Sequence, residues 1–90
     1  MPRRAGTKSH TSDAADLALR AVGVAVRSER ERRGWTLDAM AQVTDLDPAY
    51  LARIEAGKIN LTFRSLHRIA TGLGVQVSVL VSAPMVELKT

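Results

Sequence analysis

Apolar residues recur at helical spacing in four stretches of the chain, which predicts four helices. The first helix is expected to begin near Ser12 or Asp13, either of which can act as its N-cap, and to end at Gly34. Gly23 lies inside this helix and indicates a close approach to a neighbouring helix. The residues that the spacing predicts to be buried are Leu17, Ala21, Val22, Ala25 and Val26.

Three shorter helices are expected to follow, each with a recognisable start. Thr36 can cap the second helix, and Thr62 can cap the fourth. Asp47 can cap the third helix, with Pro48 at its first position, where the missing N–H costs nothing. The residues predicted to be buried in these three helices are Leu37, Met40, Ala41, Val43, Leu51, Ile54, Phe63, Leu66, Ile69, Ala70 and Leu73.

The segment at residues 75–82 has a different pattern, because it is β-branched and nearly alternating. This pattern predicts a strand. A lone strand leaves its edge unpaired, and the simplest cover is the same strand of a second copy, related by a two-fold axis. The alternative is a strand that lies along the first helix. The side predicted to form a dimer interface comprises Val75, Val77, Val79 and Val81.

Positive charge flanks the second and third predicted helices. The net charge of +4 divides into +4 over residues 1–34, −3 over residues 35–57 and +3 over residues 58–90. A polyanion held from both sides would suit this distribution, because Lys and Arg contacts to phosphates release counterions. A solubilising surface would account for it equally well.

Several classes of protein are disfavoured by composition. The chain has no cysteine, which excludes disulfides and thiolate metal sites and is compatible with the cytoplasm. No stretch approaches the roughly 18 apolar residues of a membrane span. His10 and His67 have no Ser, Cys or acid at a triad-like spacing, and neither a Gly-rich phosphate loop nor a metal-ligand spacing occurs. We therefore expect no enzyme, no cofactor, no metal and no membrane contact.

The stretch from Gly23 to Val75 resembles the Cro and phage-repressor type of helix-turn-helix domain, the XRE family. The pieces that carry the resemblance are RERRGWT, AMA, LDPAYLARIEAGK and LHRIATGLGV, in that order and spacing. The implied fold is mainly α: a four-helix, phage-repressor-like helix-turn-helix domain, here with a C-terminal β-strand pairing across a dimer. The expected divisions are a flexible basic arm at 1–13, the DNA-binding domain at 14–74, and a dimerisation strand and tail at 75–90.

The resemblance implies a set of DNA contacts, because in such domains the second helix of the pair lies in the major groove. Carried over by position, the base-reading residues are Pro48, Ala49, Ala52 and Arg53. Arg53 could contact guanine O6 and N7 together, which is worth about 1–3 kcal/mol of discrimination. Tyr50 could instead pack on the fourth helix, and Lys58 could instead stabilise the C-terminal dipole of the third. The phosphate-binding residues carried over are Arg27, Tyr50, Lys58, Asn60 and Arg64.

The same resemblance implies a structural ion pair between Arg30 and Glu55, which would fix the first helix against the third. Leu37 departs from the family, which commonly has Gln at this position. Part of the specificity is therefore expected to pass to DNA shape or to the N-terminal arm. The arm residues that could follow a minor groove are Arg3, Arg4 and Lys8.

The predicted function is a sequence-specific DNA-binding regulator of transcription that binds a pseudo-palindromic operator as a homodimer. We expect a repressor, because the sequence shows no separate ligand domain or activation surface. Helix 48–56 is expected to lie in the major groove of double-stranded DNA. The alternative is the antitoxin of a toxin–antitoxin pair, which would bind a toxin protein through the C-terminal strand and the tail SAPMVELKT. A neighbouring reading frame for a toxin would distinguish the two.

Overall fold

In the computed structural model of the protein, the backbone is described for residues 4–82 and the side chains for residues 14–82. The helices are α1 (Arg4–Arg32), α2 (Leu37–Thr44), α3 (Pro48–Glu55) and α4 (Phe63–Leu73). A fifth helical segment, α5, covers residues 77–82. The mainly helical fold is confirmed, with one helix more than predicted. Within the described chain, no helix is both long and apolar enough to cross a membrane.

The starts of α2, α3 and α4 are fixed by side chains that accept hydrogen bonds from free backbone N–H groups. Thr36 and Thr62 each accept from the N–H three residues later, at 3.0 Å in both cases. Asp47 Oδ2 accepts from the N–H of Ala49 at 2.9 Å and from that of Tyr50 at 3.2 Å. These caps satisfy donors that have no partner inside the helix. All three predicted N-caps are confirmed.

The first helix starts earlier than predicted. It begins at Arg4, so the backbone of residues 4–13 is helical where we expected a flexible arm, and the predicted caps Ser12 and Asp13 lie inside the helix. Once a helix is anchored, each added residue contributes a hydrogen bond at little nucleation cost, which favours such an extension. Residues 1–3 lie outside the described chain.

The core lies where the five helices meet, and each helix contributes one of the largest fully buried side chains. These five side chains are Val26, Met40, Leu51, Ile69 and Leu80. The buried side chains of all five helices form one contiguous cluster, so the helices stabilise one another through a single shared core. Leu80 was not among the residues predicted to be buried, whereas the other four were. The further predicted core residues that are confirmed as buried are Val22, Ile54, Leu66, Ala70 and Leu73.

Three residues predicted to be buried are exposed instead. The exposed fractions are 62% for Leu17, 49% for Val43 and 68% for Phe63. In α2 the buried position next to Val43 is Thr44, whose hydroxyl donates to the Met40 carbonyl at 2.7 Å. Because that hydrogen bond satisfies the hydroxyl, the Thr methyl can be buried in place of a valine.

The predicted strand over residues 75–82 is wrong. No β-strand occurs between residues 4 and 82, and the backbone at 77–82 is helical. The first turn of α5 is closed by a hydrogen bond from the N–H of Val79 to the carbonyl of Gln76 at 3.0 Å. Leu80 is wholly buried in the core. The segment is therefore part of the domain and not a separate dimerisation strand.

The physical reason for this error is that a short valine-rich segment fits two periods. Alternation places four valines on one side, but Val77, Leu80 and Val81 also share a helical face, at spacings of three and four. Burial of Leu80 in the core decides between them. The four valines consequently do not form one surface, since Val79 is 44% exposed whereas Val75, Val77 and Val81 pack partly buried against the core.

The contact between α1 and α3 sets the position of the helix-turn-helix. A Cβ atom placed on Gly23 would lie 2.5 Å from the carbonyl oxygens of both Ile54 and Glu55. The backbones of the two helices therefore touch directly at Gly23, which confirms the predicted close approach. No other residue could occupy this position without moving α3.

Candidate nucleic-acid interface

The helix-turn-helix consists of α2, a turn of three residues, and α3. Asp45 ends α2 in the left-handed conformation, with φ of 60°, and its N–H donates to the Ala41 carbonyl at 2.8 Å. Leu46 donates to the same carbonyl at 3.3 Å, and its side chain is partly buried against the core. Asp47 then caps α3. The turn is thus fixed by hydrogen bonds at each end and by an apolar plug in the middle.

The third helix has an anchored face and an exposed face. Leu51 and Ile54 are buried in the core, as predicted. With eight residues, α3 is about 12 Å long, which is close to the roughly 12 Å width of the B-DNA major groove. The opposite face carries the four predicted base-reading residues, all exposed except the first, which is partly buried: Pro48, Ala49, Ala52 and Arg53.

The ion pair expected between Arg30 and Glu55 is present and has bidentate geometry. Arg30 Nε donates to Glu55 Oε2 at 2.7 Å, and Arg30 Nη2 donates to Glu55 Oε1 at 3.0 Å. Arg30 Nη1 donates to the Trp35 carbonyl at 2.7 Å. The two side chains are only 13% and 7% exposed. One guanidinium therefore joins the end of α1, the loop before α2 and the end of α3.

Electrostatics favour the charged form of Arg30. The hydrogen bond to Glu55 raises the pKa of Arg30 above its ordinary value, and this effect outweighs the lowering caused by burial. A charged pair with little exposure is less weakened by salt than a surface pair. The orientation of α3 is therefore expected to persist at salt concentrations that weaken DNA binding.

Arg33 forms a second link between helices that the sequence analysis missed. Its Nη2 donates to the Leu73 carbonyl at 2.6 Å, which satisfies a free acceptor at the end of α4. Its Nη1 donates to Glu29 Oε1 at 2.9 Å, and its guanidinium lies 5.8 Å from the centroid of the Trp35 ring. The available signal was Arg next to Gly-Trp at the end of α1, but the partner lies 40 residues away.

Tyr50 packs on α4, which is the alternative that we considered to a phosphate contact. Its hydroxyl donates to Ser65 Oγ at 2.8 Å. The same Oγ accepts from the Thr62 hydroxyl at 3.1 Å. Tyr50 is therefore engaged inside the protein, and its predicted contact with a phosphate would require this hydrogen bond to change.

The other predicted phosphate-binding residues are exposed. Arg27, on α1, forms an exposed pair with Glu31 at 2.9 Å. Lys58 lies three residues after the end of α3, and its N–H donates to the Arg53 carbonyl at 3.0 Å. Within residues 14–82, no carboxylate oxygen lies within 4.0 Å of the side-chain nitrogens of Lys58, Arg53 or Arg64. The exposed cations of this set are Arg27, Lys58 and Arg64, and Asn60, two residues after Lys58, is exposed as well.

Two further expectations concern the start of α2 and the N-terminal arm. Leu37 packs partly buried against the core, so it is not a free group at the position where the family commonly has Gln. The side chains of Arg4 and Lys8, and all of Arg3, lie outside the part of the chain that the structure describes. Their contact with a minor groove remains a prediction.

Comparison with known proteins identifies the family. The family described as Helix-turn-helix domain matches residues 21–82. The chain is 35% identical over 65 residues to the HTH-type transcriptional regulator SutR of Escherichia coli K12, covering 72% of this chain and 36% of SutR. It is 31% identical over 67 residues to the control protein C.MunI of Mycoplasma sp., covering 74% of this chain and 90% of C.MunI.

A solved structure gives the same result. The HTH_3 family transcriptional regulator from Vibrio cholerae aligns with a TM-score of 0.74 and 30% identity, covering 80% of this chain and 41% of that protein. The chain belongs to the helix-turn-helix domain family, which confirms the predicted resemblance to the XRE type of helix-turn-helix domain. It spans little more than a third of the length of SutR and 41% of the Vibrio protein.

Proposed function

We propose that this protein is a cytoplasmic, sequence-specific regulator of transcription that binds a pseudo-palindromic operator as a homodimer and represses transcription. The observation that carries the proposal is the division of α3 into a buried face and an exposed face. Its buried face and both of its ends are fixed by the core, the Asp47 cap and the Arg30–Glu55 pair. Its other face is free to enter a groove.

Base recognition would be concentrated at Arg53. Arg53 is the only exposed side chain on α3 with several strong donors, and a bidentate contact to guanine would give about 1–3 kcal/mol of discrimination. Ala49 and Ala52 offer only methyl groups, which suit contact with a thymine methyl. We expect direct readout of few base pairs, with the remaining specificity arising from DNA shape.

Phosphate contacts would hold the protein at a fixed position and orientation on the duplex without adding sequence information. Lys58 and Asn60 lie just beyond the end of α3, Arg27 on α1 and Arg64 in the first turn of α4. Contacts from α1, from the loop after α3 and from α4 would together fix the depth and tilt of the helix in the groove.

The homodimer is proposed because one copy has too few reading groups. Specific binding typically exceeds non-specific binding by about 4–10 kcal/mol, whereas a single Arg–guanine contact supplies about 1–3 kcal/mol. Two copies related by a two-fold axis would double the contacts and read an inverted repeat. Repression would follow if the bound dimer occupies DNA that the transcription machinery needs.

Selection of random duplexes by the purified protein tests this proposal. We expect an inverted repeat that binds far more tightly than random DNA, with two protomers per duplex by analytical ultracentrifugation. Titration of the selected duplex at several salt concentrations would then count the phosphate contacts. Enrichment of no sequence would contradict the proposal and favour a protein partner.

A more specific candidate within this function is control of restriction–modification genes. The chain covers 94% of the restriction-modification controller protein C.Esp1396I, with a TM-score of 0.69 and 30% identity, whereas it covers only 36% of SutR. If this candidate is correct, the selected operator should lie upstream of neighbouring genes for a DNA methyltransferase and an endonuclease.

The antitoxin alternative is tested by the genes that neighbour this one. That hypothesis assigned toxin binding to a C-terminal strand and to the tail. The structure has helix α5 in place of the strand, and residues 83–90 of the tail lie outside the described chain. A neighbouring toxin gene, and a stable complex with its product, would favour the antitoxin over the regulator.

A further inference from the structure

A basic cleft lies between α1 and the loop that follows α3. It is open to solvent, has a volume of about 570 Å³, and extends from the side of α1 to the loop that begins after Glu55. The lining groups that matter for binding are Asp16, Arg20, Gly57, Lys58 and Asn60.

The two walls of the cleft are held together by a close contact. Gly57 has a φ of 70°, and a Cβ atom placed on it would lie 2.5 Å from Arg20 Cγ and 2.7 Å from Arg20 Cα. The loop therefore packs directly on the backbone and stem of Arg20. Lys58 on the other wall is tied to the end of α3 by its hydrogen bond to the Arg53 carbonyl. The loop that carries Lys58 is therefore held against Arg20, and the two cations line the same cleft.

The charge of the cleft suits an anion. No carboxylate oxygen between residues 14 and 82 lies within 4.0 Å of the side-chain nitrogens of Arg20 or Lys58. Asn60 adds an exposed amide donor. Asp16, one turn before Arg20, is the acid that lines the cleft, so one negative charge opposes two positive ones.

The cleft also lies where DNA would bring a phosphate. If α3, about 12 Å long, crosses a major groove of about the same width, its C-terminal end reaches the sugar–phosphate wall of the groove. Lys58 and the cleft follow that end directly. We infer that the cleft holds a phosphate of the DNA backbone and that Arg20 contacts it, an inference that rests on the proposed DNA-binding function.

Arg20 would thus be a phosphate-binding residue beyond those carried over from the family. It lies one residue before the segment that matches the family, in the part of α1 that the resemblance does not cover. The contact requires α1 to begin before residue 21, where the family match starts, and α1 begins at Arg4.

The salt dependence of binding to a fixed random-sequence duplex of 24 base pairs tests the inference. Arg20→Gln keeps the stem that packs on Gly57 and removes the charge, whereas Arg20→Lys keeps the charge. We expect Arg20→Gln to reduce the slope of log K against log salt by about 0.9 per bound protomer, and Arg20→Lys to leave it unchanged. Arg32→Gln is the matched control, because Arg32 lies on the same helix, pairs with Glu29 and does not line the cleft.

A second variant does not depend on the packing of Arg20. Asp16→Asn should strengthen binding to the same duplex by about two- to five-fold at low salt, because it removes the opposing charge from the cleft. Unchanged affinity in this variant would contradict the inference, whatever the stability of the Arg20 variants.

The possible failures can be told apart. If the unaltered protein binds the duplex with a clear salt slope but Arg20→Gln keeps that slope, the inference is wrong and the proposed function stands. If Arg32→Gln reduces the slope as much as Arg20→Gln, the slope responds to the loss of any positive charge on α1, and the inference is also wrong. If the unaltered protein binds neither this duplex nor a selected one, both are overturned.

Discussion

Arg53 is the side chain on which sequence recognition is expected to depend most. It is exposed, it has no carboxylate partner among the described residues, and its neighbours on the exposed face of α3 are alanines. A change at this residue should therefore separate base recognition from general attraction to DNA.

Arg53→Ala is expected to weaken binding to the selected operator by about 1–3 kcal/mol while leaving affinity for random DNA within a few-fold. The measurement is the ratio of Kd values for the two duplexes at one salt concentration. Arg32→Ala, which removes the same charge outside α3, is the control. Equal losses on both duplexes would mean that Arg53 contacts only phosphate.

The Arg30–Glu55 pair is expected to matter for stability more than any exposed pair. Glu55→Met leaves a mostly buried guanidinium without its acid, and we expect a loss of about 3–5 kcal/mol in the free energy of unfolding. Urea denaturation measures this loss. Glu31→Gln, which removes the exposed partner of Arg27, should cost at most about 1 kcal/mol.

The double variant Arg30→Met/Glu55→Met distinguishes an uncompensated charge from lost packing. It should cost less than Glu55→Met alone, since no buried charge remains. Because the pKa of Arg30 is raised, its charged form stabilises the folded protein fully at every pH at which an unfolded arginine is protonated. This contribution to the free energy of unfolding is lost only as pH rises through the raised pKa. The contribution of Arg30 should therefore be constant from about pH 6 to about pH 9.

At the residue scale, the sequence predicted interactions that are local or that the family implies. The caps at Thr36, Asp47 and Thr62 depend on donors two or three residues away, so local chemistry was sufficient. The bond from Tyr50 to Ser65 and that from Arg33 to Leu73 join residues 15 and 40 positions apart. Such partners become neighbours only through the tertiary fold, and no pattern along the chain indicates them.

At the scale of elements, the contact of α1 with α3 decides where the recognition helix points. This contact occurs at Gly23, where the two backbones are too close for any side chain. The contact therefore depends on main-chain atoms, which cannot change rotamer to relieve a clash as a flexible side chain can.

Gly23→Ala is expected to destabilise the protein, although alanine is the better helix former. The Cβ clash at 2.5 Å should cost about 1–3 kcal/mol or more, against a gain of about 0.5–1 kcal/mol in helix propensity. Thermal unfolding measures the difference. Ser28→Ala, at an exposed position of the same helix, should be neutral or slightly stabilising. A more stable Gly23→Ala would show that the helices can separate freely.

Two adjacent positions of α5 are expected to differ strongly in how much they contribute to stability. Leu80→Ala should cost about 2–5 kcal/mol of unfolding free energy, because Leu80 fills the shared core. Val79→Ala, at an exposed position, should change stability by no more than about 0.5 kcal/mol. Urea titration of both variants provides the comparison. The reverse order would support the alternating strand.

The elements differ in how well their sequence predicted them. For α2, α3 and α4, a capping residue and an apolar period pointed to the same helix. At residues 77–82 the intrinsic preference of valine pointed to a strand, while the core needed Leu80 from a helix. Packing outweighed propensity there, as it commonly does in short segments.

At the scale of the whole molecule, the proposed dimer fixes the distance between its two recognition helices. For a rigid two-fold dimer this distance should match one turn of DNA, about 34 Å. The operator should then tolerate changes in spacer sequence better than changes in spacer length.

Insertion of about five base pairs between the half-sites turns one of them to the opposite side of the duplex. We expect the affinity to fall at least ten-fold, towards that of a single half-site, because only one α3 can then enter its groove. Fluorescence anisotropy with the selected and the extended duplexes measures this. Spacer changes of equal length are the control, and unchanged affinity after insertion would mean that protomers bind independently.

The separation of the two faces of α3 also affects how such proteins can diverge. The contacts that hold α3 in place do not involve Ala49 or Ala52: they are made by Leu51, Ile54, Tyr50, the Asp47 cap and the Glu55 pair. The outer positions held by Ala49 and Ala52 contribute little to folding and can be exchanged for larger polar residues. A duplicated gene could therefore acquire a new target site through changes at two or three outward positions, while its descendants keep the same architecture.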